Sequence, residues 1–388
     1  MATYWVRADG GGNDSNAGTS YATAKATIAG AFAAATSQGD KVYIVNDGVH
    51  TACTFGQRKT ISTGFVGTNY TDDVGFGIYG VDPSGNPAMA TVAADYSTSA
   101  FYFVTTGWNA AYLDIQGIKF DWTDAEINGA SETFKVIGYI TPVLPMRIKN
   151  CYFKSLALGG SWTDTGWYTL VAWTSSGSAP RTDTVEISYC VFENSGLRWT
   201  GAGNINCDFH HNVFLSDADG YAASTTFYAA GGAFFDPGLE YGFYNNTAVR
   251  FYKNVDDGSG LLSGNVPTEA ELTVHSNVLW FEAGGSSDGS IVTPLFQGYS
   301  SATTAPGTGT LDYNLWSFDP STYNTTTLFD SSGGFGTYQF NEDWRDDGSP
   351  TTANTTPNTN DTVTFLGLGD TFNSTGSWTW TTPDGYSH

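Results

Sequence analysis

The sequence predicts an all-β solenoid, a coil of stacked strands of the parallel β-helix kind, on three observations. One short pattern returns seven times, its apolar positions keep one register, and the steps between copies are unequal. The copies are LDIQGIKF (113–120), MRIKNCYF (146–153), VEISYCVF (185–192), CDFHHNVF (207–214), YGFYNNTA (241–248), LTVHSNVL (272–279) and GTLDYNLW (309–316). Aligned on their last residue, they carry Ile115, Ile148, Ile187, Phe209, Phe243, Val274 and Leu311 five positions earlier, all apolar. Two before the end stand Ile118, Cys151, Cys190, Asn212, Asn246, Asn277 and Asn314. Side chains of a strand alternate with period two, so an odd step between two apolar columns requires a bend between them, near the Asn column. Aligned ends lie 22 to 39 residues apart. Such variation suits strands stacked with loops of free length, and helical repeats hold a nearly fixed period. Stacked Asn side chains can bond along a ladder at the bend. The competing arrangement is a β-sandwich with Asn-containing turns.

Taken in order, residues 3–50 read as strand, Gly/Asn/Asp turn, helix, turn and strand. The helix is expected from Thr27 to Ser37, with Thr27 as its cap, alanine as the best helix former and Gly39 closing it. Ile28, Ala31, Phe32 and Ala35 make its apolar face. The GGGND stretch at 10–14 is a turn before this helix, since it lacks the strand–glycine–helix context of a nucleotide site and does not recur as a calcium repeat would. Rungs are expected over 51–318. From Asp319 to the end Thr, Asn and Ser dominate and the register fades, so 319–388 reads as a terminal cap or docking segment with short edge strands such as 362–365.

The opening of the chain resembles that of pectate-lyase-like, right-handed parallel β-helix proteins, in which such a helix covers the open end of the first rung. The resemblance covers about the first 50 residues closely and the rungs to about 320 by pattern. It implies a fold more sharply than an activity. MATYWVRADGGGNDSNAGTS resembles the opening of phage-encoded β-helix proteins of the tailspike and decoration type as well as that of bacterial enzymes.

Composition narrows the partners. Thirty-eight acids against 15 bases give a net charge of −23, which leaves no basic surface for nucleic acid or anionic membrane. No apolar run is long enough to span a bilayer. The first residues have neither a basic nor an apolar leader region, so no secretory signal is expected there. Four cysteines do not make a disulfide framework at this length. Cys151 and Cys190 share a register and either bridge or stack as free thiols; parallel stacking aims them alike and favours free thiols. Cys207 takes an apolar core position, and Cys53 has no evident partner. NTT at 324–326 and 354–356 matches glycosylation acceptors.

Two groups of residues are candidates for function. Aromatics number 59, and Trp162, Trp167, Tyr168, Trp173, Trp199, Tyr221 and Tyr228 are expected in loops, where they form a glycan-binding flank or pack into an interface. The densest acidic cluster is Asp208, His210, His211 and Asp217 with Asp219, followed by Asp236 and Glu240. His210 and His211 are adjacent, so on a strand they face opposite ways. Enzymes of the family resembled cleave acidic polysaccharides, either with Ca²⁺ held by acids and an Arg or Lys base, or with paired carboxyls of which one stays protonated. Lyase bases would come from Lys154, Arg198, Arg250 and Lys253, none within a recognisable motif. No metal site, HExxH or CxxC pair is present in the sequence, so no cofactor is expected, with Ca²⁺ the one candidate ion.

The expected role is therefore a non-enzymatic, adhesive or structural protein of a tailed-phage virion exterior, a capsid decoration or tail spike component. Its expected partners are other virion proteins, further copies in a homotrimer, and cell-surface polysaccharide in host attachment. Its expected place is the virion surface, after synthesis in the host cytoplasm. The alternatives are a tailspike-type depolymerase and a secreted bacterial polysaccharide lyase or glycoside hydrolase.

Overall fold

Short strands with one apolar face reach stability only by stacking, and the chain stacks them in three parallel sheets. The computed structural model describes residues 1–52, 59–61, 75–93, 101–106, 113–122, 134–138, 146–155, 168–173, 184–193, 196–200, 206–215, 227–230, 240–251, 262–263, 271–275, 277–281, 296–298, 308–312, 315–317, 329–331 and 362–363. Among the described residues the first and second sheets hold ten strands each, the second running from Val49–Thr51 to Thr362–Val363, and the third holds nine, from Lys59–Ile61 to Phe329–Ser331. Each sheet collects every third strand of the coil, so three strands make one turn, and the architecture is a parallel β-helix. The first sheet runs from Thr3–Val6 through Lys41–Val45, Phe76–Val81, Leu113–Gln116, Met146–Lys149, Thr184–Ser188, Asn206–His210, Glu240–Tyr244 and Glu271–His275 to Thr308–Asp312. No helix among the described residues is long and apolar enough to cross a membrane.

The apolar columns read from the sequence are rows of this structure. Val42, Ile78, Ile115, Ile148, Ile187, Phe209 and Phe243 pair in one register across the first sheet and are buried. In the second sheet Phe120, Phe153, Phe192 and Phe214 stack with ring centroids 5.4, 4.8 and 4.9 Å apart. A third row lies in the third sheet and does not belong to the seven-copy pattern: Val104, Ile137, Leu170, Leu197, Phe227, Leu262, Phe296 and Phe329.

From the rung of Gly117 to that of Asn245, the bend between the first and second sheets is a single residue in the left-handed backbone region. Gly117, Asn150, Tyr189, His211 and Asn245 occupy it on successive rungs, with φ of 67, 55, 54, 56 and 55°. One such residue turns an odd step into two inward-facing columns. The conformation is easy for glycine and tolerated by Asn and His, and it is costly for Tyr189. The next residue on each of these rungs is Ile118, Cys151, Cys190, Asn212 or Asn246, and all of these, like Asn277, are fully buried. Asn246 Nδ2 donates to Phe209 O at 3.0 Å, and its Oδ1 accepts from Asn212 N at 3.0 Å. Asn212 and Asn277 repeat the pattern, with Nδ2 donating to Ile187 O at 2.9 Å and to Phe243 O at 3.0 Å. The ladder satisfies backbone groups that the bend takes out of the sheets. Cys190 and Cys151 extend it. Both are free and buried, and their thiols point to the equivalent carbonyls, Ile148 O at 3.6 Å and Ile115 O at 3.7 Å. Cys207 sits in register with Val185 and Tyr241, and Cys53 lies outside the described residues.

The helix spans Ile28–Ala34, shorter at its end than the sequence suggests. Thr27 Oγ1 accepts from Gly30 N at 2.9 Å, and Asp14 accepts from the Ala26 and Thr27 amides, which fixes the start after the GGGND turn. Ala35 leaves helical geometry with ψ of 86° because the following turn is held by Asp40. Asp40 accepts from Ser37 N and Ala2 N, both at 2.8 Å, and so delivers Lys41 to pair with Thr3. Ile28, Ala31, Phe32 and Ala35 are buried, and Phe32 meets Phe76 edge to face at 6.1 Å. At the other end, Phe329–Ser331 and Thr362–Val363 add strands to the third and second sheets, so strand stacking extends beyond residue 318. The sequence triplets at 324–326 and 354–356 lie outside the described residues.

Asn246→Ala strands the Asn212 amide and the Phe209 carbonyl inside the bend, so unfolding free energy should fall by about 2–6 kcal/mol. Cys190→Asn, which places at this bend the amide found at 212 and 246 with the Ile148 carbonyl in reach, should cost less than Asn246→Ala. Denaturant midpoints of the two variants check both outcomes.

Candidate functional site

The outward face of the first sheet carries two rows that alternate with the buried one. One row runs Lys41, Gly77, Asp114, Arg147, Glu186, Asp208, Gly242. The other runs Trp5, Tyr43, Tyr79, Gln116, Lys149, Ser188, His210, Tyr244. Their side chains form two clusters.

The first cluster is closed. Asp114 is 2% exposed and is satisfied from three sides. Arg147 grips it with Nη2 at 2.6 Å and Nε at 3.2 Å, the Tyr79 hydroxyl donates at 2.9 Å, and Gln116 Nε2 donates at 3.0 Å. Every acceptor position of this carboxylate is used, so it holds the face together.

The second cluster is only partly covered, with Ser188 buried and Glu186 keeping part of its side chain exposed. Glu186 accepts from Ser188 Oγ at 2.7 Å, and His210 Nε2 lies 3.5 Å from the same Oε1. Burial raises the pKa of Glu186, but His210, Ser188 and nearby Lys149 outweigh it and hold the carboxyl down to about 2. His210 stacks on Tyr244 at 5.0 Å and 10° between planes. His211 stacks on Tyr189 at 4.9 Å and 19°, with Lys149 Nζ 5.6 Å from the Tyr189 ring. Burial, then the neighbouring His210, lowers the pKa of His211, which favours its neutral form. Gly242 makes room here: a Cβ on it would come within 2.6 Å of Asp208 Oδ1. Burial first, then the Asp208 charge, raises the pKa of Tyr244.

The sequence expectations fare unevenly. Asp208 and His210 do share the outward face, two residues apart on Asn206–His210. His210 and His211 do not face opposite ways. The strand ends at His210, and the left-handed conformation of His211 brings the two Nδ1 atoms within 2.8 Å. Glu240 opens the strand of the next rung, paired with Glu271, and Asp217, Asp219 and Asp236 lie outside the described residues. Tyr168, Trp173, Trp199 and Tyr228 fall on strands of the third sheet, not in loops, because each rung has a third strand that the seven-copy pattern omits. In that sheet Trp199 pairs in register with Ala229, and Tyr228 with Arg198. Trp162, Trp167 and Tyr221 lie outside the described residues.

Of the expected lyase bases, Lys154 pairs with Glu193 at 2.9 Å on the second sheet, Arg250 lies on another strand of that sheet, Arg198 is on the third sheet, and Lys253 is outside the described residues. The first sheet instead presents Arg147 and Lys149. Glu186, Ser188, Tyr189 and Tyr244 were not singled out from sequence. They stand at the outward and bend positions of the same aligned copies, so reading the polar columns beside the apolar ones would have found them.

Glu186 is favoured as a carboxylate by folding, so its contribution to stability is complete above the ordinary value of 4.5 and is lost as pH falls toward about 2. Glu186→Gln should therefore lose less stability than the parent between pH 5 and pH 2. Thermal midpoints across that window measure the difference.

No family model matches this chain, and no curated protein matches it. Among solved structures it is similar to a GH136 lacto-N-biosidase from Eubacterium ramulus, with 10% identity, a TM-score of 0.34, and coverage of 94% of this chain and 68% of that one. A selenomethionine form of the same enzyme matches at 11% identity and a TM-score of 0.34, covering 86% and 67%. Likeness at that level says nothing of activity here.

Proposed function

We propose that the protein is a non-catalytic, adhesive component of a virion exterior, a capsid decoration or tail spike element, that holds cell-surface glycan on the outward face of its first sheet. The observation that carries the binding role is the pairing of stacked rings with ionised groups. Tyr244, His210, Tyr189 and His211 are stacked in pairs beside Glu186 and Lys149, while the buried Ser188 anchors Glu186 from behind. Such a surface offers apolar ring area to a sugar together with donors and acceptors for its hydroxyls. Because its side chains are held by one another, little ordering cost falls on binding. The virion setting is supported by the opening residues and their resemblance to phage-encoded β-helix proteins. Attachment to other virion proteins and trimer formation belong to the same proposal.

Glu186 is held ionised, so in a glycosidase it could serve only as nucleophile or base, and the protonated acid would have to be another carboxyl. A depolymerase is the second reading, favoured by one observation. Glu186 and Asp208 are direct partners on adjacent strands. Neighbouring strands are about 4.8 Å apart, close to the roughly 5 Å between paired carboxyls of retaining glycosidases.

The test is a panel of acidic and neutral bacterial surface polysaccharides, with Ca²⁺ present, scored for binding by calorimetry and for new reducing ends. Adhesion predicts saturable binding without cleavage, and Tyr244→Ala should weaken it about tenfold, the loss of one stacking contact. Release of reducing ends that disappears in Asp208→Asn would establish the depolymerase reading instead. Absence of binding across the panel would sink the adhesive role.

A further inference from the structure

The bend at His211 creates a pair of imidazole nitrogens that glycan binding does not require. His210 Nδ1 and His211 Nδ1 face each other at 2.8 Å, with the rings nearly perpendicular at 85°. Both rings are immobilised, His210 against Tyr244 and His211 against Tyr189. Glu186 Oε1, itself anchored by Ser188, lies 3.5 Å from Nε2 of His210. A carboxylate there favours the proton on Nε2, which leaves Nδ1 of His210 with its lone pair available. This is how a carboxylate behind a metal-binding histidine sets its tautomer.

We propose that His210 Nδ1 and His211 Nδ1 form a two-histidine site for Cu(II), with Glu186 as the positioning residue behind His210. The separation favours this ion. Two nitrogens bound at about 2.0 Å and at right angles lie about 2.8 Å apart, whereas tetrahedral ligands at that length lie about 3.3 Å apart. The observed 2.8 Å fits adjacent corners of a tetragonal site. Metal entry requires no net proton loss: the hydrogen shared between the two Nδ1 atoms moves to Nε2 of His211 as the neutral ring changes tautomer. Among the described residues no group of three or more His, Cys, Asp or Glu converges on a metal position, so water or a bound ligand completes the coordination.

The experiment titrates the whole chain with CuCl₂ at pH 7 in a weakly coordinating buffer, followed by calorimetry and electron paramagnetic resonance. The site predicts one Cu(II) per chain and a tetragonal spectrum split by two nitrogens. The variants are chosen to keep the fold: His211→Asn places at the bend the residue found at 150 and 245, and His210→Gln places in the outward row the residue found at 116. Each should lower affinity at least tenfold and remove one nitrogen coupling, while circular dichroism stays that of the parent. Glu186→Gln should lower affinity about 10–100-fold while both couplings remain. Affinity unchanged from the parent in either histidine variant, a parent spectrum without two nitrogens, or no binding by the parent would each overturn the site. None of these readouts depends on glycan.

Discussion

One residue in the left-handed backbone region on each of five successive rungs, from Gly117 to Asn245, is the constraint on which the rest of this molecule depends. A strand that continued straight from the first sheet would turn its second apolar column outward, because successive side chains alternate. The left-handed residue takes up the odd step, and both columns face the interior. It also removes backbone groups from the sheet ladders at a place water does not reach. The amide column of Asn212, Asn246 and Asn277 meets that need, and the thiols of Cys151 and Cys190 follow the same line with weaker donors. The position accepts Gly117, Asn150 and Asn245 readily. Tyr189 and His211 are less usual there, and those two rungs carry the partly covered cluster.

The outward face of the first sheet shows two fates for charge in one register. Around Asp114 every hydrogen-bonding position is consumed by Arg147, Tyr79 and Gln116, and the carboxylate is sealed from solvent. Two rungs on, Glu186 is held by a hydroxyl and an imidazole and keeps a quarter of its side chain, 26%, exposed. The difference follows from one partner: a bidentate guanidinium closes over the first acid, and a flat ring stands beside the second. A buried acid of the first kind is a fastener, and the second kind remains able to meet something outside.

Much of the coil was legible in sequence because its interior is repetitive. Ile115, Ile148 and Ile187 recur with Phe120, Phe153 and Phe192 at constant spacing, and the Asn column two places before the end marked the bend. The third sheet was not legible by that pattern. Its row through Leu170, Leu197 and Phe227 stands at variable distance from the copies, since the connections on either side differ in length. Trp199 and Tyr228 were accordingly assigned to loops when they belong to strands. The candidate site was half visible. Asp208 and His210 drew notice as a local cluster, but Glu186 lies a full turn away in sequence and meets them only through strand pairing. The approach of His210 to His211 depends on a backbone angle, and alternation along an ideal strand gives the wrong answer there.

Strand pairing in this coil has a consequence for how the chain reaches its native state. Every ladder joins strands roughly one turn apart along the chain, so the nearest partner of any strand is the turn just before or after it. No rung can bury its apolar face until a neighbour is in place. Growth from a preformed end is then the cheapest route, and the N-terminal turn, with its helix docked and Phe32 against Phe76, offers such an end. Winding would proceed rung by rung as each new loop closes, at a cost that rises only slowly with loop length. The variable connections therefore burden assembly little, and they are free to diverge while the interior stays the same.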